Sequence, residues 1–199
     1  MPDIVAFGAS SSLNSINKKL AHFAAQNVPN ATVNILDLND FEMPLYSTDR
    51  EKEGIPQKAH DFKAALKAAD GIIISFAEHN GAYTTAFKNI FDWISRLEKP
   101  IWCGKPMFLL STSTGARGAI TVLELAHLRL SRDNPNIPTF SLPSFKETFD
   151  LLENSLLENG FNTNMDRQLL HQKIRQRISV MKTNIYNGVF VVFKTKHEF

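Results

Sequence analysis

The chain has 199 residues, 43% of them hydrophobic, and its 22 basic and 20 acidic side chains leave a net charge of +2. That length builds one domain with a substantial core, and so even a charge balance gives no nucleic-acid footprint and suits poorly a small acidic protein that docks by charge. The single cysteine, Cys103, excludes an internal disulfide framework; there is no secretory leader and no run near the roughly 20 apolar residues of a membrane span, so a soluble cytoplasmic protein is expected.

Short β-rich runs fall at Asp3–Phe7, Thr32–Leu38, Gly71–Phe76, Met107–Thr112 and Ile137–Leu142. Helical spacing separates them. Asn14–Gln26 places Ile16, Leu20, Phe23 and Ala24 on one face, Gln57–Ala69 does so with Phe62, Leu66 and Ala69, and Thr84–Arg96 with Phe87, Ile90, Phe91 and Ile94; Ala119–Leu130 forms a fourth such stretch. The runs 71–76 and 107–112 are apolar nearly throughout, as strands buried on both faces are. Strand–helix alternation then predicts right-handed βαβ units and a three-layer, doubly wound α/β domain. The polar connection Asn39–Pro56 reads as a surface loop or a lid.

Beyond residue 143 the pattern changes. Phe145–Glu158 and Met165–Lys182 read as helices joined by a turn at Asn159-Gly160, the second with a solvated basic face (Arg167, Lys173, Arg175, Arg177 and Lys182). The expected division is a domain over residues 1–183 and a tail over 184–199. Within the tail, Asn187–Phe199 reads as an edge strand, a partner-binding arm or a foreign tail.

In an open parallel sheet, ligands bind outside the carboxyl ends of the strands. The loops there read GASSSLNSIN, FAEHNGAYTT and STSTGARGA. They are rich in Gly, Ser, Thr and Asn and lack the charged pairs of hydrolytic chemistry. The first feeds a helix N-terminus, whose free N–H groups and dipole attract an anion. Ser10, Ser12, Ser15 and Asn17 add polar side chains. Capping explains one such residue, not six Ser or Asn among the eight positions from Ser10 to Asn17. A Walker loop fails at Leu13 and Asn14, and a dinucleotide fingerprint fails at Ser10 and Leu13. Asp37 is then a strand-end residue with a weak claim on a ligand.

The stretches GASSSLNSINKKLA, FAEHNGAYTTAFKNIFDWISR and GKPMFLLSTSTGARGA together resemble the NADPH-dependent FMN reductase family over residues 3–182. That family's Pro-Glu-Tyr-Asn, gap, Leu-Lys-Asn-x-x-Asp-Trp pattern is matched by Glu78, Asn80, Lys88, Asn89, Asp92 and Trp93. The resemblance implies a flavodoxin-like fold with a five-stranded sheet in the order 2-1-3-4-5. It also implies bound FMN, NADPH or NADH as electron donor, a small-molecule acceptor such as a flavin or quinone, and a homodimer or homotetramer. Carried over by position, Ser10, Ser12, Ser15, Ile16 and Asn17 would hold the phosphate. Glu78, His79, Asn80 and Gly81 would line the flavin ring, and Ser111, Thr112, Ser113, Gly115 and Gly118 would close the other side. Replacing Ser15 and Asn17 together by Ala is expected to lose FMN and keep the fold.

The chain departs from the family at Ser11, where many members have Arg, at Ala77 for Pro and at His79 for Tyr. No catalytic nucleophile or acid–base pair is required, because the cofactor carries the hard chemistry. His79 is a candidate proton donor to the acceptor. Arg117 reads either as a partner for the 2′-phosphate of NADPH or as a solvated loop side chain. Phe87, Ile90, Phe91 and Ile94 read as core or subunit interface, with Trp93 at its edge. A non-enzymatic FMN-binding electron carrier is the alternative function.

Overall fold

Strand β1 (Asp3–Ala9) enters the core at once, with Ile4, Ala6 and Phe7 fully buried. It meets helix α1 (Ile16–Gln26), which Ser15 caps by accepting the Lys18 N–H at 3.2 Å. Gly8 is required where the two meet. A side-chain carbon there would come within 2.7 Å of Lys18 Cα and 2.9 Å of the Asn17 carbonyl carbon. Only a missing Cβ lets the helix start this close to the strand. The computed structural model describes residues 1–132, 134, 136–149 and 165–194.

The remaining elements are β2 (Thr32–Leu36), a 3₁₀ turn (Leu38–Phe41), α2 (Thr48–Glu53), α3 (Gln57–Ala68), β3 (Gly71–Phe76), β4 (Glu78–His79), β5 (Ala82–Tyr83), α4 (Thr85–Ile94), β6 (Met107–Thr112), α5 (Ile120–Leu130), β7 (Thr139–Leu142) and α6 (Met165–Lys194). Five strands pair in parallel in the order β2-β1-β3-β6-β7. With the β4–β5 pair set aside as a separate antiparallel hairpin, that is the expected 2-1-3-4-5 order of a flavodoxin-like sheet.

Helices cover both faces. On one side α3, α4 and α5 enclose an aromatic core in which Phe7 meets Phe62 at 5.4 Å and Phe76 meets Phe87 at 5.1 Å, both edge to face. Each such ring, fully buried, contributes about 1.5–3 kcal/mol of hydrophobic stabilisation. On the other side α1 and α6 pack Leu20, Phe23, Ile174, Ile178 and Met181 against Ile73 and Phe108.

Several boundaries differ from the sequence reading. β2 stops at Leu36 because Asp37 turns its carboxylate onto the Asn39 N–H at 3.0 Å and opens the 3₁₀ turn. β7 begins at Thr139 rather than Ile137. Residues 145–149 are helical, and the rest of the expected 145–158 helix and its Asn159-Gly160 turn lie outside the described residues. The last helix runs past Lys182 to Lys194, so the backbone from 187 to 194 is helix and not an edge strand. Ile185, beyond the expected boundary at 183, is buried and sits across from Gly71.

The 39–56 connection is strapped to α4. Asn89 accepts the Tyr46 N–H at 2.8 Å and donates to the Met43 and Pro44 carbonyls, each at 3.1 Å. The Trp93 indole N–H donates to the Pro44 carbonyl at 2.8 Å, and the Tyr46 ring stands perpendicular to Trp93 at 5.2 Å. Two of the motif residues on α4 therefore hold a loop.

Candidate active site

β1, β3 and β6 are neighbours in the sheet, so the loops leaving their carboxyl ends form one site. The sequence-predicted site residues lie on these strand ends and loops, except Ile16 and Asn17, which open helix α1. A polar network beneath them ties the strand ends together. Asn17, 2% exposed, accepts from the Ser75 hydroxyl at 2.7 Å and from the Thr112 N–H at 3.1 Å, and donates to the Thr112 carbonyl at 3.1 Å. Thr84 caps α4 and donates to the Ala9 carbonyl at 2.9 Å. The Thr112 hydroxyl donates to the Leu142 carbonyl at 2.7 Å. Buried polar groups need such partners, and here, apart from the Ser75–Asn17 pair, the partners are backbone groups at the strand ends.

The network changes the part that Asn17 plays in the first loop. Its amide is spent inside the protein, and what it can offer a ligand is its backbone N–H. The N–H groups of Ile16 and Asn17 belong to the first turn of α1, which has no intrahelical acceptors for them. That of Lys18 is taken by Ser15. No acidic residue sits in the first turn of α1 itself. Ser10 is nearly buried, its hydroxyl accepting the Ser12 N–H at 3.1 Å, while Ser11 and Ser12 are exposed. The Lys18 ammonium is paired with Asp37, holding that carboxyl below the usual carboxylate range. A helix start lined with amides and hydroxyls, with no acidic residue in its first turn, fits a phosphate monoester.

The second wall is the β4–β5 hairpin. Asn80 and Gly81 both have positive φ, 51° and 75°, at its two-residue turn. Asn-Gly is the pair that such a turn favours, because both positions need left-handed backbone. His79 and Asn80 are exposed on it. The Glu78 carboxylate does not face the cleft; it accepts the Val122 N–H at the start of α5 at 3.0 Å.

The third wall is the 113–119 loop. Ser111 and Ser141 both donate to the Gly118 carbonyl, at 2.7 and 2.9 Å. Gly118 has φ 58°, and a Cβ there would lie 2.9 Å from the Pro143 nitrogen, so a side chain is excluded. Gly115 accepts from the amides of Gly118 and Ser144, and the Ser113 hydroxyl donates to its carbonyl at 3.3 Å. Arg117 is exposed at the rim, its guanidinium donating to Thr121 Oγ1 at 2.9 Å.

Sequence reasoning missed Ser75, Thr84, Ser141 and the role of Gly8. Ser75 had a signal: a lone hydroxyl inside the apolar run GIIISF must find a buried partner. The hairpin had one too, in Asn80-Gly81 itself.

A family model described as NADPH-dependent FMN reductase matches residues 2–139. The chain belongs to this family. It is 36% identical to a 2-hydroxy-1,4-benzoquinone reductase from a Burkholderia species over 118 residues, which are 58% of this chain and 62% of that protein. It is 29% identical to an NAD(P)H-dependent FMN reductase of Pseudomonas aeruginosa over 175 residues, 84% of this chain and 92% of that one. Among solved structures, a flavoenzyme NAD(P)H:(acceptor) oxidoreductase from Paracoccus denitrificans superposes with a TM-score of 0.66 at 17% identity, covering 94% of this chain and 98% of the other. That similarity bears out the flavodoxin-like fold.

Proposed function

We propose that this member of the family is an FMN-dependent oxidoreductase that uses NADPH or NADH to reduce quinones, flavins and related small-molecule acceptors. The observation that carries the reading is the amide- and hydroxyl-lined start of α1, with no acidic residue in its first turn, set between two loop walls at the sheet's carboxyl edge. FMN, when bound, would supply the redox chemistry, a two-electron transfer between nicotinamide and acceptor. The protein binds and orients. Ser10, Ser12 and Ser15, with the backbone amides of Ile16 and Asn17, hold the phosphate. The hairpin turn His79–Gly81, held by Glu78, and the segment from Ser111 to Gly118 bracket the ring. His79, exposed on the hairpin, gives the proton to the reduced acceptor in this reading. Arg117 offers its planar donors to the 2′-phosphate of NADPH.

The flavin-binding domain in this reading covers residues 1–183, with α6 carrying its packing on to Ile185. No helix among the described residues is long and apolar enough to cross a membrane. A cytoplasmic location is supported by the lone, unpaired Cys103. The proposed homodimer uses the face between α4 and α5. There, Leu125 and Leu128 are 39% and 66% exposed beside a groove of about 360 Å³ floored by Tyr83, Phe91 and Ile101. Lys88 and Asp92, paired with each other, and Arg129 and Arg132 also line it, a polar rim around the apolar patch that a two-fold contact would bury. Sedimentation of the wild type and of Leu128→Asp tests this: the wild type sediments as a dimer and the variant as a monomer.

The activity is tested by the visible spectrum of the purified, FMN-loaded protein under anaerobic conditions. Adding NADPH or NADH is expected to bleach the flavin band at about 450 nm, and adding a quinone to restore it. A bound flavin that neither nicotinamide bleaches makes the protein a carrier. A protein that takes up no FMN defeats both readings.

A further inference from the structure

Helix α5 begins without a capping group of its own. Ala119 stands at its N-cap with left-handed backbone (φ 58°, ψ 39°), its methyl group accepts nothing, and no acidic residue lies in the first turn. The Val122 N–H would be one of the unpaired amides that every helix start exposes. Its acceptor comes from a chain segment 44 residues earlier: Glu78 Oε2, 3.0 Å away, on β4. Glu78 sits in the same hairpin as the left-handed Asn80-Gly81 turn. That hairpin leans on the same helical turn, since a Cβ on Gly81 would lie 4.0 Å from the Thr121 methyl group. The residue before the cap is fixed as well, because two hydroxyls converge on the Gly118 carbonyl. The α5 start is thus rigid on its own side and joined to the hairpin through one carboxylate.

We propose that Glu78 is a positioning residue that caps α5 from the β4–β5 hairpin and so sets the gap between the two walls of the FMN cleft. The proposal rests on the FMN reading of that cleft. It gives Glu78 a role distinct from lining the ring: the carboxylate acts through the Val122 amide, and its needed property is an acceptor oxygen at the right reach, not a negative charge. The hairpin's His79 and Asn80 then take their place over the cleft from a residue that does not itself enter it.

Glu78→Gln keeps an acceptor oxygen at the same reach, Glu78→Asp draws it back by one methylene, and Glu78→Ala removes it. Two measurements read the series: hydrogen exchange of the Val122 amide in FMN-free protein, and the FMN dissociation constant from fluorescence quenching. The expected result is a protected Val122 amide in the wild type and in Glu78→Gln, with fast exchange in Glu78→Ala. The FMN dissociation constant should rise about tenfold in Glu78→Ala, the scale of one lost helix cap, less in Glu78→Asp, and hardly at all in Glu78→Gln. Wild-type affinity in Glu78→Ala overturns the proposal. So does a Glu78→Gln variant as weak as Glu78→Ala, which would make the charge a direct flavin contact. If Glu78→Ala does not fold, the Asp and Gln variants decide alone, equal affinities in the two refuting the role of reach. A wild type that binds no FMN defeats the functional reading instead, and Val122 exchange then still decides whether Glu78 holds the hairpin.

Discussion

Replacing Asn17 with Ala separates a scaffold residue from a phosphate ligand. The side chain is 2% exposed and makes three hydrogen bonds, to the Ser75 hydroxyl, the Thr112 N–H and the Thr112 carbonyl. Ala removes the partner that Asn17 gives to all three groups. A buried polar group stranded in this way costs about 1–3 kcal/mol, although the Ser75 hydroxyl can rotate toward another acceptor. We therefore expect the FMN-free protein to lose about 3–5 kcal/mol. For a chain of this size about 2–4 °C of melting temperature accompanies each kcal/mol, so the midpoint should fall by about 10 °C. The assay is a circular-dichroism melt of FMN-free wild type and variant, followed by FMN titration. The sequence reading, made for Ser15 and Asn17 replaced together, expected lost cofactor with a retained fold and no such loss of stability. A variant whose FMN-free midpoint lies within about 2 °C of wild type would refute the scaffold role.

Three further outcomes follow from the same structure. Gly8→Ala forces α1 away from β1, because the new carbon meets backbone atoms of Lys18 and Asn17; overpacking of this kind costs about 1–3 kcal/mol, and FMN affinity should drop as the helix start shifts, both read by melting and titration. Trp93→Phe removes the donor to the Pro44 carbonyl, and with it about 1 kcal/mol, so limited proteolysis should cut within residues 42–56 faster than in wild type; an unchanged cleavage rate counts against the strap. Burial pushes the Tyr83 phenol up to about 12, only partly offset by Arg129. Its folded value lies above the usual tyrosine value of about 10, so this contribution to stability is complete below about pH 10 and is lost as pH rises toward 12. Chemical denaturation at stepwise pH should show that alkaline decline in the wild type and a smaller one in Tyr83→Phe.

The amino-acid sequence by itself determined the layers of this protein and the edge at which its site lies. Strands 71–76 and 107–112 had to be central because they are apolar on both faces, and the helices between strands had to cover them. The same logic put Ser10–Asn17, Glu78–Gly81 and Ser111–Gly118 at the carboxyl ends of neighbouring strands. What tertiary structure decided is which way each polar side chain faces. A Ser or Asn in a loop has the same local chemistry whether it meets a phosphate or a backbone carbonyl. The choice depends on groups far away in sequence. Asn17 turns inward because Ser75 and Thr112 wait there, 58 and 95 residues on. Glu78 turns to α5 because Ala119 leaves a helix start uncapped. Asn89 and Trp93 face the 39–56 connection because Pro44 and its neighbours present free carbonyls. Periodicity reads burial along one element, and it carries no information about partners brought together only when the sheet closes. Gly8 joins the two levels: one glycine, where nucleotide loops have several, is the one position at which strand and helix must touch.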